Sequence, residues 1–322
     1  MDYRKRIEVS MREVQKAKSS NKNDSHLFDI RRKVVLLQCL SLDSSLPLRF
    51  TPFMQVGLIG CGKMGQALAL GAIRSGSLEG ENLHVFDPVP AAVEQLLSDA
   101  SAHASPDLSS LISVSEVLLL CVKPGDIQTV LEQVADSEKS ANDLLILSIA
   151  AGVTISQMES LVAGKARIIR AMPNTPALVG EGAAAYSLGS QANDDDATFA
   201  KSLLGSVGTV HEVKESLMDA VTGISGSGPA YVFTFIEALA DGALLEGIPR
   251  DQALALATQT VLGAATLVRD SGSLPAELRD RVTSPGGTTI SGLAALEAGA
   301  FRSTVINAVS SATRRSKELG KQ

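Results

Sequence analysis

Tryptophan is absent from this chain, and aromatic residues of all kinds make up only 3% of its 322 residues. A stacking platform for nucleic acid needs aromatics interleaved with basic residues over a positive field. Neither that composition nor the net charge of -6 provides one, so nucleic-acid binding is not expected. Cysteine is scarce as well. Cys39, Cys61 and Cys121 are too few and too scattered for a disulfide framework or a paired-cysteine metal site, and they read as free thiols in a reducing compartment. His26, His84, His103 and His211 share no spacing that would bring two to one metal, so no metal is predicted. The apolar run Val34 to Leu42 is far too short to span a bilayer and contains Gln38. What is plentiful is Ala, Val, Leu and Ile. Hydrophobic residues reach 45%, the composition of a soluble globular protein with closely packed helices. The length favours two domains, because single cores stop growing at about 250 to 300 residues.

Residues 1–53 differ from the remainder: Lys and Arg outnumber Asp and Glu, Ser is frequent and no steady hydrophobic period appears. Arg31-Arg32-Lys33 gives a charged flank. Asp2, Glu8, Glu13, Asp24 and Asp29 spoil the acid-poor pattern of a transit peptide, so a cytoplasmic location is expected, with organelle targeting through this extension as the alternative. Met54 stands immediately before the first strand signal, and a chain starting there is expected to fold and work.

From Met54 onward, short apolar runs at Val56 to Ile59, Leu83 to Asp87, Val117 to Lys123, Leu144 to Ile149 and Arg167 to Met172 alternate with helix-length segments. That rhythm, with near-continuous apolar strands such as Val117 to Val122, predicts a parallel sheet covered on both faces, a doubly wound Rossmann fold. Ala183 to Leu188 and Thr209 to Val213 are expected to extend its edge. After Lys214 the pattern becomes helical: Pro229 to Leu245, Asp251 to Asp270 and Ile290 to Leu319, with Gly247 as a stop and Asp251 as a possible cap. The fold class is therefore α/β. A dinucleotide-binding domain over 54–214 precedes an all-helical domain over 215–322, whose small alanines suit close packing within or between subunits.

Gly60-Cys61-Gly62-Lys63-Met64-Gly65 follows the first strand and opens a helix, the order a dinucleotide site requires. The first glycine permits the bend, the second admits a pyrophosphate and the third lets helix pack on strand. Asp87, about 20 residues beyond Gly65 at the end of the second strand, can accept hydrogen bonds from the adenosine ribose hydroxyls. It points toward NADH over NADPH. Val122-Lys123-Pro124 ends the third long strand at the same crevice. Asn174, within Met172-Pro173-Asn174-Thr175-Pro176, ends another strand there on a stiff turn. Gly223-Ile224-Ser225-Gly226-Ser227-Gly228-Pro229 precedes a long helix with Pro at its start, leaving exposed amides and hydroxyls at a positive helix end that faces cofactor or substrate. Ser284-Pro285-Gly286-Gly287-Thr288-Thr289 stands before another helix, where the amides of Gly287, Thr288 and Thr289 suit a carboxylate; a simple capped helix start is the competing view.

These segments together closely resemble pyrroline-5-carboxylate reductases from about Met54 to Leu319. The stretch Leu278 to Glu297 resembles the family's signature. The resemblance implies NAD(P)H-dependent reduction of 1-pyrroline-5-carboxylate to L-proline, the last step of proline biosynthesis, in a dimer whose helical domains interlock and which can build a ring of dimers. It implies a substrate site of Ser284, Gly286, Gly287, Thr288 and Thr289, with Thr289 at the ring nitrogen and Ser284 beside the carboxylate as the catalytic pair. Gly60, Cys61, Gly62, Lys63, Met64, Gly65, Asp87, Val122, Lys123, Pro124 and Asn174 would hold the cofactor.

The chemistry of a cyclic imine agrees. It arrives protonated near neutral pH, so the enzyme needs no dedicated Lys or His acid and mainly has to position it. A 3-hydroxyacid dehydrogenase of the same plan would need a proton donor, commonly a lysine on the helical domain, and Ser216 to Ser316 contains none. Another imine reductase, or a nucleotide-binding redox sensor without chemistry, remain as alternatives.

Overall fold

Short runs of Val, Leu and Ile bounded by glycine and polar turns make strands that are buried on both faces, and the computed structural model builds them into one sheet. It describes Met54–Gly320; the extension 1–53, with Cys39, His26 and the expectations attached to it, lies outside the described residues. The dinucleotide half runs β1 (Val56–Ile59), α1 (Lys63–Ser75), β2 (Leu83–Phe86), α2 (Pro90–Asp99), β3 (His103–Ala104), α3 (Leu108–Val114), β4 (Val117–Leu120), α4 (Ile127–Asp136), β5 (Leu145–Ser148), α5 (Ile155–Val162), β6 (Arg167–Met172), β7 (Gly182–Leu188), α6 (Asp194–Gly205) and β8 (Gly208–Glu212). The strand order is β3-β2-β1-β4-β5-β6-β7-β8. All neighbours are parallel except β6 and β7, so the last two strands run against the first six and form the expected edge extension.

Alternation along each strand separates two cores. Leu58, Val85, Leu119, Leu147 and Ile169 face one side, where α1, α2 and α6 cover them. Ile59, Leu118, Leu120, Ile146 and Ile168 face the other, under α3, α4 and α5. Each fully buried Leu or Ile contributes about 1.5–3 kcal/mol, so it is the sheet interior that fixes register. The chain leaves β1 toward β2 on one side and returns to β4 on the other. The carboxyl end of β1 is therefore the switch point where ligands bind in such sheets.

The helical part comprises α7 (Met218–Val221), a π turn (Thr222–Gly226), α8 (Gly228–Leu245), α9 (Arg250–Ser271), α10 (Pro275–Arg281), α11 (Thr288–Ala298) and α12 (Phe301–Leu319). α8 and α9 pack through Ala240, Ala253 and Ala257, after a turn in which Gly247 adopts φ 91°. Three expectations are corrected. The single helix Ile290 to Leu319 is two helices, broken where Ala300 takes φ 55°. Asp251 is not the cap of α9 but sits in its first turn, and Pro249 precedes the helix. The segment 223–229 does not leave a free helix start: Ser227 already has helical dihedrals, and α7, the π turn and α8 follow one another without an extended residue.

Several contacts fasten the helical part to the sheet half, among them the ion pair at 2.8 Å between Arg269 of α9 and Glu181, the residue before β7. Glu215 Oε1 accepts from Arg170 Nη1 at 3.1 Å and from the Ile155 N–H at 2.6 Å. Asn174 Nδ2 donates to Ser225 O at 3.0 Å. Gly320 lies against Gly152, close enough that a Cβ on Gly320 would stand 2.7 Å from the Gly152 carbonyl oxygen. By contrast, apolar side chains on most of these helices are open to solvent in the single chain, among them Phe233, Leu245, Leu254, Leu262, Leu296 and Ile306; Leu245 is 88% exposed. Among the described residues, no helix is long and apolar enough to cross a membrane.

Candidate functional site

The glycine turn has a distinct use for each of its glycines. Gly60 adopts φ 97°, and a Cβ there would meet the Cys121 carbonyl oxygen at 2.6 Å. Gly65 is pressed against the Gly60 carbonyl oxygen, 2.1 Å from where its Cβ would be. Gly62 has nothing within 4 Å in the direction of its missing side chain. The outer two glycines are needed by the fold, and the middle one opens on space. α1 starts at this point with no side-chain cap and no acidic residue in its first turn, which leaves its positive end free for an anion.

Asp87 sits one residue beyond β2. Its Oδ2 accepts from the Cys61 N–H and its Oδ1 from the Val89 N–H, both at 2.8 Å, so the carboxylate ties the glycine turn to the loop after β2. Gln66 Nε2 holds the Cys61 carbonyl at 2.8 Å from the other side. Sequence reasoning missed this glutamine, which carries no motif; its place one turn into α1 is the only signal. Burial, aided by the Asp87 carboxylate, pushes the Cys61 thiol up to about 12. Burial, aided by Cys61, pushes the Cys121 thiol up to about 12. Both are neutral packing groups under the turn, not nucleophiles. Lys63 and Lys123 are exposed, Met64 and Val122 partly buried. Pro124 opens a short 3-10 turn over Pro124–Asp126.

Asn174 is buried, with both ends of its amide in use: Oδ1 accepts from the Ala183 N–H at 2.8 Å while Nδ2 holds Ser225 O. Met172 lies against Gly226, where a Cβ would stand 2.6 Å from its Cε. The rim of β6 and the π turn are thus one surface.

The second cluster lies elsewhere on the chain. Ser284 and Pro285 are exposed, Gly286 adopts φ 67°, and Gly287 precedes α11 as its N-cap with no side-chain cap. A Cβ on Gly287 would stand 2.4 Å from Ser284 Oγ, so the tight turn requires glycine there. Thr288 is exposed and Thr289 half-buried. Within this turn Gly287 N–H donates to Ser284 O at 3.1 Å and Thr283 Oγ1 to Arg279 O at 2.7 Å. The structure brings Gly60 through Gly65, Asp87, Val122, Lys123, Pro124 and Asn174 to the carboxyl rim of the sheet. It carries Ser284 through Thr289 on a separate exposed turn.

Comparison with known proteins decides the family. A pyrroline-5-carboxylate reductase dimerisation model matches residues 215–319, and an NADP oxidoreductase, coenzyme F420-dependent, model matches residues 55–152. A pyrroline-5-carboxylate reductase of Synechocystis is 47% identical over 269 residues, 84% of this chain and 99% of that protein. One from Methanosarcina acetivorans is 44% identical over 268 residues, 83% of this chain and 98% of that protein. The chain belongs to the pyrroline-5-carboxylate reductase family. The NADP-bound crystal structure of the Plasmodium falciparum pyrroline carboxylate reductase superposes with a TM-score of 0.74 at 34% identity, covering 83% of this chain and 98% of that one. Pyrroline-5-carboxylate reductases are NAD(P)-dependent oxidoreductases, and the open Gly62, the uncapped α1 and Asp87 fit that cofactor.

Proposed function

We infer that this chain reduces 1-pyrroline-5-carboxylate to L-proline with NAD(P)H. The observation that carries this reading is the similarity over more than four fifths of the chain to reductases of that substrate, spanning both the glycine turn and the Ser284 to Thr289 turn. The bound cofactor supplies a hydride to the imine carbon. Gly60 through Gly65 hold its pyrophosphate on the end of α1, Asp87 meets its ribose, and Val122, Lys123, Pro124 and Asn174 form the wall beside it. The amides at Gly287, Thr288 and Thr289 receive the substrate carboxylate, with Gly286 shaping the turn. Ser284 stands beside that carboxylate and the Thr289 hydroxyl contacts the ring nitrogen.

No dedicated acid is needed, because the imine nitrogen is protonated before the hydride arrives. The contribution of these residues is orientation, which can lower a barrier by about 7–11 kcal/mol in well-aligned cases.

Self-association completes the proposal. The family's dimerisation region coincides with the helices whose apolar side chains stand in solvent, and a partner chain would cover them. A dimer is the proposed unit, with a ring of dimers as its possible higher form. The free Cys61 and Cys121 support a reducing compartment, and we propose the cytoplasm. The test is steady-state oxidation of NADPH and NADH by the purified chain with pyrroline-5-carboxylate, followed at the nicotinamide absorbance band. Turnover that depends on the imine supports the reading. Nucleotide binding by a folded protein that leaves both cofactors unoxidised refutes it.

A further inference from the structure

Ser225 Oγ is buried and has no hydrogen-bond partner among the described residues. Leaving such a hydroxyl unmade is costly, and its neighbours avoid the cost: Thr222 Oγ1 donates to Met218 O at 3.0 Å and Thr313 Oγ1 to Val309 O at 2.8 Å. Both use the carbonyl four residues back, the ordinary resource of a helical hydroxyl. Ser225 lies in the π turn, where the ladder widens and the Ser227 N–H reaches Thr222 O at 2.8 Å. Such turns are rare and concentrate at functional sites.

This turn is held firmly. The Ser225 carbonyl is bound by Asn174, Gly226 is fitted against Met172, Gly223 is packed under α12 beside Thr313, and Tyr231 Oη donates to Gly223 O at 3.3 Å. A well-anchored turn that nevertheless strands one hydroxyl is organised to offer it.

The topology says to what. Asp87 stands beyond β2, on one side of β1, where the adenosine end of a dinucleotide belongs. Asn174 follows β6, on the opposite side of β1, and carries Ser225 with it. A cofactor crossing the switch point would bring its nicotinamide end to that side. A desolvated neutral hydroxyl in the turn that Met172 packs against at Gly226 suits a neutral amide, whereas a carboxylate is better served by uncapped helix amides such as those at Gly287.

We propose that the Ser225 hydroxyl is a hydrogen-bonding contact for the carboxamide of the bound nicotinamide and orients the ring. The proposal rests on the reductase reading only in requiring a nicotinamide cofactor. The test compares the full chain with Ser225→Ala, titrating NADPH and, separately, 2′-phospho-ADP-ribose, which lacks the nicotinamide. The variant should bind NADPH about three- to tenfold more weakly, the range of one neutral hydrogen bond. It should bind the truncated nucleotide as the parent does and melt no lower. Equal weakening for both nucleotides, or for neither, would overturn the assignment. Failure of the parent to reduce pyrroline-5-carboxylate while this binding pattern holds would count against the substrate alone and support the contact.

Discussion

Glu215→Ala should destabilise this protein more than Arg170→Met, although the two substitutions break the same ion pair. The Arg170 side chain is 6% exposed and that of Glu215 33% exposed. Removing Glu215 leaves a guanidinium buried in the sheet without its counter-charge, and it also orphans the Ile155 N–H at the start of α5. Breaking a buried pair from one side costs about 3–5 kcal/mol. The partial exposure of Glu215 reduces this to about 2–3 kcal/mol. Arg170→Met instead leaves a carboxylate that reaches water and keeps its bond to Ile155, and it fills the buried position with an apolar chain; about 1 kcal/mol or less is expected. At about 2–4 °C per kcal/mol for a body of this size, Glu215→Ala should lower Tm by about 4–12 °C. The assay is thermal and urea unfolding of full chains at one fixed protein concentration, since association shifts apparent stability. The double variant should be more stable than Glu215→Ala alone. If Arg170→Met proved as damaging as Glu215→Ala, or if the two losses simply added, the buried-charge reasoning would be refuted.

Gly62→Ala should leave Tm nearly unchanged, because its Cβ meets open space, yet weaken NADPH binding about tenfold or more. Gly65→Ala, 2.1 Å from the Gly60 carbonyl oxygen, should unfold the turn; calorimetry with nucleotide titration separates the two. Asp87→Ser should raise the kcat/KM ratio of NADPH to NADH by removing a like charge from the 2′-phosphate, and an unchanged ratio would leave Asp87 only its role of tying Cys61 to Val89. Thr289→Val should lower kcat/KM for the imine about 10- to 100-fold, the worth of a hydrogen bond to a charged group, with no change in melting. The thiols of Cys61 and Cys121 are raised in the fold from 9.0 to about 12. The folded state keeps protons that the unfolded chain releases, so their contribution is fully present below about 9 and is lost as pH rises toward about 12. Urea unfolding at pH values across that window should show the decline, and Cys61→Ala with Cys121→Ala should flatten it.

The elements legible in the sequence are those whose signal is local. β1, the glycine turn and α1 announce themselves because Gly60 and Gly65 answer contacts within the same unit or the neighbouring strand end, while Gly62 opens on space. β4 and β5 are largely apolar runs with two buried faces. The exposed turn at Gly286 and Gly287 is written in its own glycines. β3, in contrast, was not foreseen: His103 and Ala104 are exposed and carry no apolar pattern, and the strand exists because β2 offers an edge. α10 was missed for a similar reason, since Glu277, Arg279, Asp280 and Arg281 give it no buried face in the single chain. The π turn was hidden because Gly223, Gly226 and Gly228 stand just before Pro229, which signals a helix start. In the fold two of those glycines are demanded by close neighbours, Thr313 and Met172, which are distant in the sequence. The same distance hid the second role of Asp87, the clamp at Asn174 and the bond between Arg170 and Glu215.

Gly320 returns to the loop at Gly152, and Gln157, 163 residues earlier in the chain, reaches its carbonyl oxygen at 3.5 Å. The loop at Gly152 therefore takes its final support from a residue that is synthesised long after it. The π turn waits in the same way, because Gly223 is seated only when Val309 and Thr313 arrive on α12. Every strand precedes residue 213, but the wall of the crevice at the π turn is completed only when α12 has been added. The crevice therefore reaches its final form only through a helix that lies far downstream of every strand lining it.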